Sequence, residues 1–183
     1  MTIRYLTPFL LIFNIAHAGD IDFKKAVTDQ VNAKSIVTII QPQQIDGQIY
    51  TPIAAQYFQG RDFMPSCSLF NRDDVKKQLE LISPSDGQFG NCHQVITEPT
   101  VSKINGDYYA MYTYVVEDPR SEFTQTYQLV KLTTDGFYKC KEDSAIGKDI
   151  DLYSRKKMSV DRAVKLAIKK SGCTVDEKTF EDN

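Results

Sequence analysis

Past its first 18 residues the chain has one histidine, His93, so any histidine-based chemistry must use it. Histidine serves in proteins as a general base and as a metal ligand. His93 follows Cys92 in a stretch that we expect to be a strand, where neighbouring side chains point to opposite faces. The two side chains therefore should not share one metal. We expect a structural histidine, with no metal, no cofactor and no catalytic base at this position.

Carboxylates are the second route to acid–base chemistry. Asp107 and Glu117 flank a tyrosine-rich stretch, and burial in an apolar cavity would raise the pKa of such a group towards neutrality. Both lie at the ends of an expected strand, where solvated carboxylates are common, so we expect neither to be catalytic. The sequence also lacks the motifs of serine hydrolases, zinc proteases, phosphate-binding loops and dinucleotide-binding folds.

Tyrosines are concentrated in the same region, and each combines apolar area with a polar tip. We expect core packing for them, with a pocket or an interaction surface as the alternative. The residues concerned are Tyr108, Tyr112, Tyr114 and Tyr127.

Four cysteines, an even number, favour disulfides if the chain is exported. They are Cys67, Cys92, Cys140 and Cys173. Four cysteines allow three pairings. We favour Cys67–Cys92 with Cys140–Cys173, because each bridge would tie a predicted helix to the sheet, and the other two pairings stay open.

Basic residues are concentrated near the end of the chain, where Asp161 is the only acid among them. They are Arg155, Lys156, Lys157, Arg162, Lys165, Lys169 and Lys170. A solvated helix face is the first explanation for such a pattern, and a surface for an acidic protein or an anionic envelope is the functional one. We expect no nucleic-acid partner, because the chain is predicted to leave the cytoplasm.

Residues 1–18 have the features of a secretory signal. Arg4 gives the positive end, residues 9–13 the apolar core, and Ala16-His17-Ala18 a cleavage site of the small-x-small type. We therefore expect a periplasmic or secreted product in which residues 19–183 form one domain and 174–183 a frayed tail. No later stretch has the roughly 18 consecutive apolar residues of a membrane span.

The stretch from Val101 to Cys140 predicts a meander of antiparallel strands. Asn105-Gly106 and Asp135-Gly136 are the residue pairs that tight hairpin turns favour, because such turns need positive φ. The apolar positions slip by one residue near Leu129, which predicts a β-bulge there. The strand from Asp107 is apolar on both faces, so we expect helices to cover one face and another segment, a partner or a pocket the other.

Hydrophobic spacing and capping residues predict four helices around this meander. They cover 23–34, 51–60, 71–82 and 159–172, the last three starting behind Thr51, Asn71 and Ser159. The β-branched run 36–40 predicts a short strand, with continuation of the first helix as the alternative. Residues 92–97 predict an edge strand that ends before Pro99, and 141–152 an irregular segment.

This order of elements, with Asp107 to Tyr114 leading to Tyr127 to Leu132 and then to Asp135 to Lys139, resembles the nuclear transport factor 2-like (cystatin-like) superfamily over about residues 51–141. The resemblance implies an α+β fold in which helices pack on a curved antiparallel meander sheet, here with an extra C-terminal helix. Its members include isomerases, dehydratases and non-catalytic binding modules, so the fold alone does not decide the function.

Two functions remain open from the sequence. The first is an exported, non-catalytic binding protein, of the inhibitor or immunity type, that acts on a protein partner in the periplasm. The alternative is a small-molecule binder or a cofactor-free enzyme that works in a cavity on the concave face of the sheet.

Overall fold

A computed structural model describes residues 21–60, 64–73, 78–81, 89–117, 123–141 and 143–175. The predicted signal segment and residues 176–183 of the predicted tail lie outside these ranges. The helices are α1 (Phe23–Val31), α2 (Asp143–Ser154) and α3 (Val160–Ser171). The strands are β1 (Ala33–Ile40), β2 (Gln44–Asp46), β3 (Ile49–Tyr50), β4 (Ile53–Gln59), β5 (Ser66–Asp73), β6 (Gln78–Leu81), β7 (Phe89–Ile104), β8 (Asp107–Glu117), β9 (Phe123–Thr133) and β10 (Gly136–Lys139). The predicted α+β class is confirmed.

Eight of these strands form one antiparallel sheet in the order β1-β4-β5-β7-β8-β9-β10, with β6 paired to β5, while β2 and β3 form a separate ribbon. Asn105 and Gly106 join β7 to β8 with positive φ at both residues, as the predicted turn requires. In the β9–β10 hairpin, Thr133 pairs with Gly136, so the two loop residues are Thr134 and Asp135. Gly136, with a φ of +135°, starts the return strand.

Side chains cover both faces of the strands at the centre of the sheet. The central cluster joins one face of β4 and β5 to one face of β8, β9 and β10, with Ala110, Tyr112 and Val130 among its members. The helix cluster lies on the other face of β8 and β9 and packs Met111 and Leu129 against α2 and α3. A third cluster packs α1 against β4, β5 and β6.

The predicted bulge near Leu129 is wrong. β8 and β9 pair without a shift from Tyr108 opposite Leu132 to Glu117 opposite Phe123. Leu129 faces the helix cluster, while Val130 and Leu132 belong to the central cluster. Two buried faces, and not a bulge, explain why the apolar spacing slips.

The helix predicted over 51–60 is wrong, because residues 53–59 form β4. Ile53 and Tyr57 face α1, while Ala54 faces the central cluster. A strand buried on both faces loses the alternation of apolar and polar residues that identifies strands in a sequence. Thr51 does not cap a helix; its hydroxyl accepts a hydrogen bond from the Gln43 N–H at 2.9 Å.

The helix predicted over 71–82 is also wrong. Residues 71–73 continue β5, and β6 pairs back on it with Asp73 opposite Gln78. Leu79 is buried against α1, as the apolar spacing required, but it reaches that core from a strand. Residues 74–77 and 82–88 lie outside the described ranges.

Two further elements differ from expectation. The strand predicted over 92–97 is part of β7, which pairs with β5 at Phe89 and Asn91 and with β8 from Cys92 to Ile104, and which does not end before Pro99. The β7–β8 register shifts between Ile96 and Thr100, in the segment that contains Pro99, which has no N–H to donate. The segment predicted as irregular over 141–152 contains most of α2.

The helices predicted at both ends, and the strand over 36–40, are present. α1 starts behind Asp22, whose carboxylate accepts the Lys25 N–H, and ends at Asn32 in the left-handed conformation. α3 starts behind Ser159, which has an extended backbone and no side-chain capping bond. No helix in the described ranges is long and apolar enough to cross a membrane.

The structure contains both disulfides of the favoured pairing. Cys67–Cys92 joins β5 to β7 inside the central cluster, so it links two strands and not a helix to the sheet. Cys140–Cys173 ties the residue after β10 to the end of α3. Two such bridges fit an oxidising compartment.

Candidate functional site

The four tyrosines singled out in the sequence do not converge on one cavity. Tyr112 and Tyr114 are fully buried in the central cluster. The Tyr112 hydroxyl donates to the Pro52 carbonyl at 2.7 Å, and burial raises the pKa of this phenol well above its ordinary value. Two of the four residues thus serve the core.

Tyr108 and Tyr127 are half-buried, and Tyr108 packs against the edge of the central cluster. The Tyr108 hydroxyl donates to the Asp46 carboxylate at 2.9 Å and accepts from the Lys103 ammonium at the same distance. Tyr127 belongs to the opposite face, against α2. Burial, followed by its hydrogen bond to Asp151, raises the pKa of Tyr127 to about 12.

Of the remaining acid and base candidates, Asp107 is the one whose side chain the structure describes. Asp107 forms an ion pair with Lys131 at 2.8 Å, as expected of a solvated strand end. The side chains of His93 and Glu117 lie outside the described residues. Within the described ranges, no group of three or more His, Cys, Asp or Glu side chains is placed to hold a metal ion.

The basic residues lie on a hairpin formed by α2 and α3. Both helices pack into the helix cluster, and the hairpin is closed at its base by Cys140–Cys173. The chain turns between the helices through backbone hydrogen bonds from Lys156 N–H to Tyr153 O and from Lys157 N–H to Ser154 O, both 3.0 Å. The turn is therefore a bonded continuation of α2.

Two of the predicted bases have structural partners. Lys170 pairs with Asp149, which also accepts the Ser171 hydroxyl at 2.9 Å, and these hydrogen bonds lower the pKa of this carboxyl. Lys165 pairs with Asp161 at 2.8 Å. The first of these contacts holds α2 against α3, so Lys170 serves the fold.

Asp161 has a second partner in the sheet. Its carboxylate accepts the hydroxyl of the buried Ser102 of β7 at 2.7 Å. The hydrogen bonds from Lys165 and from Ser102 lower the pKa of Asp161. This contact fixes the start of α3 on the sheet.

Five bases on the hairpin are exposed and have no carboxylate partner among the described residues. We call them the basic surface: Arg155, Lys156, Lys157, Arg162 and Lys169. The first three lie in the turn, where the Lys156 ammonium is 5.9 Å from the Tyr153 ring centre. The seven-residue spacing of the other two places them on one outer face of α3, about 10 Å apart.

Two exposed apolar side chains border the turn. Leu152 is 47% exposed and Val160 is 46% exposed, and they rank with Val37 and Tyr50 as the exposed large hydrophobic residues of the described chain. Helical spacing in the sequence indicated the bases, but it did not reveal which of them are paired or that apolar residues lie beside them. No protein family model, curated protein or solved structure matches the chain.

Proposed function

We propose that this protein is an exported, non-catalytic binding protein that docks an acidic surface of another protein through its basic surface. Five exposed cations of the hairpin without carboxylate partners in the described ranges are the main support for this docking. The whole chain has a formal net charge of −2. The positive charge is therefore local, and it favours encounter with an acidic patch.

The neighbouring residues suit a protein partner. Leu152 and Val160 offer apolar area beside the charges, and Arg155 and Arg162 bring the cationic residue that is enriched in protein interfaces. Apolar anchors surrounded by charge bind more selectively than charge alone, since the anchors require a matching shape. The disulfide at the base and the bonded turn hold these groups in place, which lowers the ordering cost of binding.

We also propose that the protein is exported. The predicted signal at 1–18 and the two disulfides support an oxidising location, periplasmic or secreted. An inhibitor or immunity-type role follows if the docked surface of the partner contains its active site.

Charge reversal with a matched control tests the docking. The chain is expressed for export as wild type, as Arg155→Glu/Lys156→Glu/Lys157→Glu, and as a control that reverses three exposed lysines elsewhere, Lys24, Lys34 and Lys141. Each protein is immobilised, incubated with envelope extract and washed at low and at high salt. Bound proteins are identified and their stoichiometry is measured.

We expect wild type and control to retain one acidic protein in stoichiometric amount, and the turn variant to lose it by at least about tenfold, which corresponds to 1.4 kcal/mol. Retention should fall as salt rises, because exposed charges are screened. Equal retention of that protein by all three chains would contradict the proposal, and so would a partner lost equally from the turn variant and the control.

A further inference from the structure

A polar cleft of about 480 Å³ lies away from the basic surface. The end of the β2–β3 ribbon forms one wall with Gln48 and Tyr50, and β5 forms the floor with Asn71 and Arg72. The β9–β10 turn forms the third wall, which includes Asp135. Its size falls within the range of small-molecule sites in proteins.

The groups around the cleft have a particular chemistry. Tyr50 is 40% exposed, and neither its hydroxyl nor the Gln48 amide has a hydrogen-bond partner among the described residues. Amide, guanidinium and carboxylate groups are planar and can each exchange paired hydrogen bonds with two neighbouring hydroxyls. The lining includes one positive side chain, Arg72, and one negative side chain, Asp135, so its formal charges sum to zero.

The fold holds this arrangement in place at Gly136. A Cβ on that residue would lie 2.3 Å from the Asn71 amide nitrogen, so only glycine allows the side chain of Asn71 to approach the turn. The amide donates to the Asp135 carbonyl at 3.5 Å, and the Thr133 hydroxyl donates to the Gly136 carbonyl at 3.2 Å. The cleft wall is thus built by close contact between two segments more than 60 residues apart in the sequence.

We propose that this cleft binds a neutral saccharide. The apolar face of a sugar ring would stack on Tyr50, as rings with an exposed apolar face do on aromatic side chains. Its hydroxyls would bond to Gln48, Asn71 and Asp135, which together offer donors and acceptors. A charged ligand gains less here, because the two opposite formal charges of the lining would attract and repel it in about equal measure.

Side-chain amide signals give a direct local test. The ¹⁵N-labelled protein is titrated with maltotriose, cellotriose and chitotriose, and with glucose 6-phosphate as a charged comparison, while the side-chain amides of Gln48 and Asn71 are followed by NMR. We expect at least one neutral trisaccharide to shift both signals with a Kd of about 1 mM or tighter, and glucose 6-phosphate to bind more weakly.

Two variants make the test specific. Tyr50→Ala removes an exposed ring and should weaken binding by at least about tenfold. Val37→Ala, which truncates an apolar side chain of β1 that is 50% exposed, should bind as wild type does. The turn variant of the basic surface should also bind the sugar normally, so this proposal can fail or stand without the proposed function.

Failure of all three trisaccharides to shift the Gln48 and Asn71 signals would overturn the saccharide site. Tight binding of glucose 6-phosphate alone, or full binding by Tyr50→Ala, would do the same.

Discussion

The sheet is covered by helices in two places, and the two coverings differ in how they are fastened and in how their charges are matched. α1 packs through Val27 and Val31, and on its outer side Lys25 pairs with Asp29 at 2.9 Å. The α2–α3 hairpin is fastened by a disulfide, by the Asp149 contacts and by the Ser102–Asp161 bond.

The more firmly fastened covering also carries more cations without a carboxylate partner among the described residues, five in the basic surface against Lys24 on α1. Exposed like charges repel one another, and a cation such as Lys169 in the last turn of α3 gains only a little from the helix dipole. A helical hairpin held by a covalent bond and by partly buried polar contacts tolerates that repulsion. We infer that the fastening contacts stabilise the fold and that the basic surface serves to bind a partner.

Removal of either disulfide should give the largest loss of stability. Cys140→Ala/Cys173→Ala and Cys67→Ala/Cys92→Ala each open a loop, of 33 and 25 residues, and each should cost about 3–4 kcal/mol of unfolding free energy. Hydrogen exchange should then distinguish them. The first variant should lose protection mainly in α2 and α3, and the second in β5 and β7.

Similar losses of protection across the whole sheet in both variants would contradict this division, because they would mean that the hairpin is no separate unit. Alkylation of any cysteine in the unreduced, denatured wild type would show that at least one of the two disulfides is not formed.

A smaller effect concerns Asp149. This carboxyl is 7% exposed and bonds to Lys170 and Ser171, so Asp149→Asn should lower the unfolding free energy by about 1–3 kcal/mol at pH 7. Its folded pKa is lowered from 3.8. The stability from this group is therefore complete above that pH and is lost as the pH falls through the folded value.

Urea unfolding between pH 7 and pH 2 measures both the loss of stability in Asp149→Asn at pH 7 and the loss of stability on acidification. The wild type should lose stability below about pH 4, and Asp149→Asn should lose less over the same range. Asp161→Asn is the comparison, since its pKa is lowered too but its side chain is 46% exposed. If Asp149→Asn and wild type lose the same unfolding free energy between pH 7 and pH 2, the ionised Asp149 does not stabilise the packing of α2 against α3.

The same contrast explains how much of the fold the sequence predicted. α1 and α3 bury one stripe each, and Asn105-Gly106 requires a turn, so these elements follow from spacing and backbone chemistry. β4 has two buried faces, and its run of apolar residues carries no period that separates a strand from a helix. α2 was missed because its inward face includes the carboxylate of Asp149 and a glycine, Gly147.

The basic surface and the cleft also differ in how far the sequence predicted them. A run of bases along a helix is visible in the sequence, but the pairing of Lys165 and Lys170 with acids of the hairpin depends on how the helices pack. The polar cleft was not predicted, since Tyr50, Asn71 and Asp135 come from three segments that only the sheet brings together. The resemblance to the nuclear transport factor 2-like superfamily stays a prediction.

The stability of a variant with a neutralised turn shows whether the fold needs the cations of the basic surface. Arg155→Gln/Lys156→Gln/Lys157→Gln removes three charges and keeps side chains that are polar and favourable in helices. We expect its unfolding free energy in urea to lie within about 0.5 kcal/mol of wild type, or slightly above it as repulsion is relieved. A loss of more than about 1 kcal/mol would show that the fold itself needs these cations, and would contradict the assignment of the basic surface to a partner.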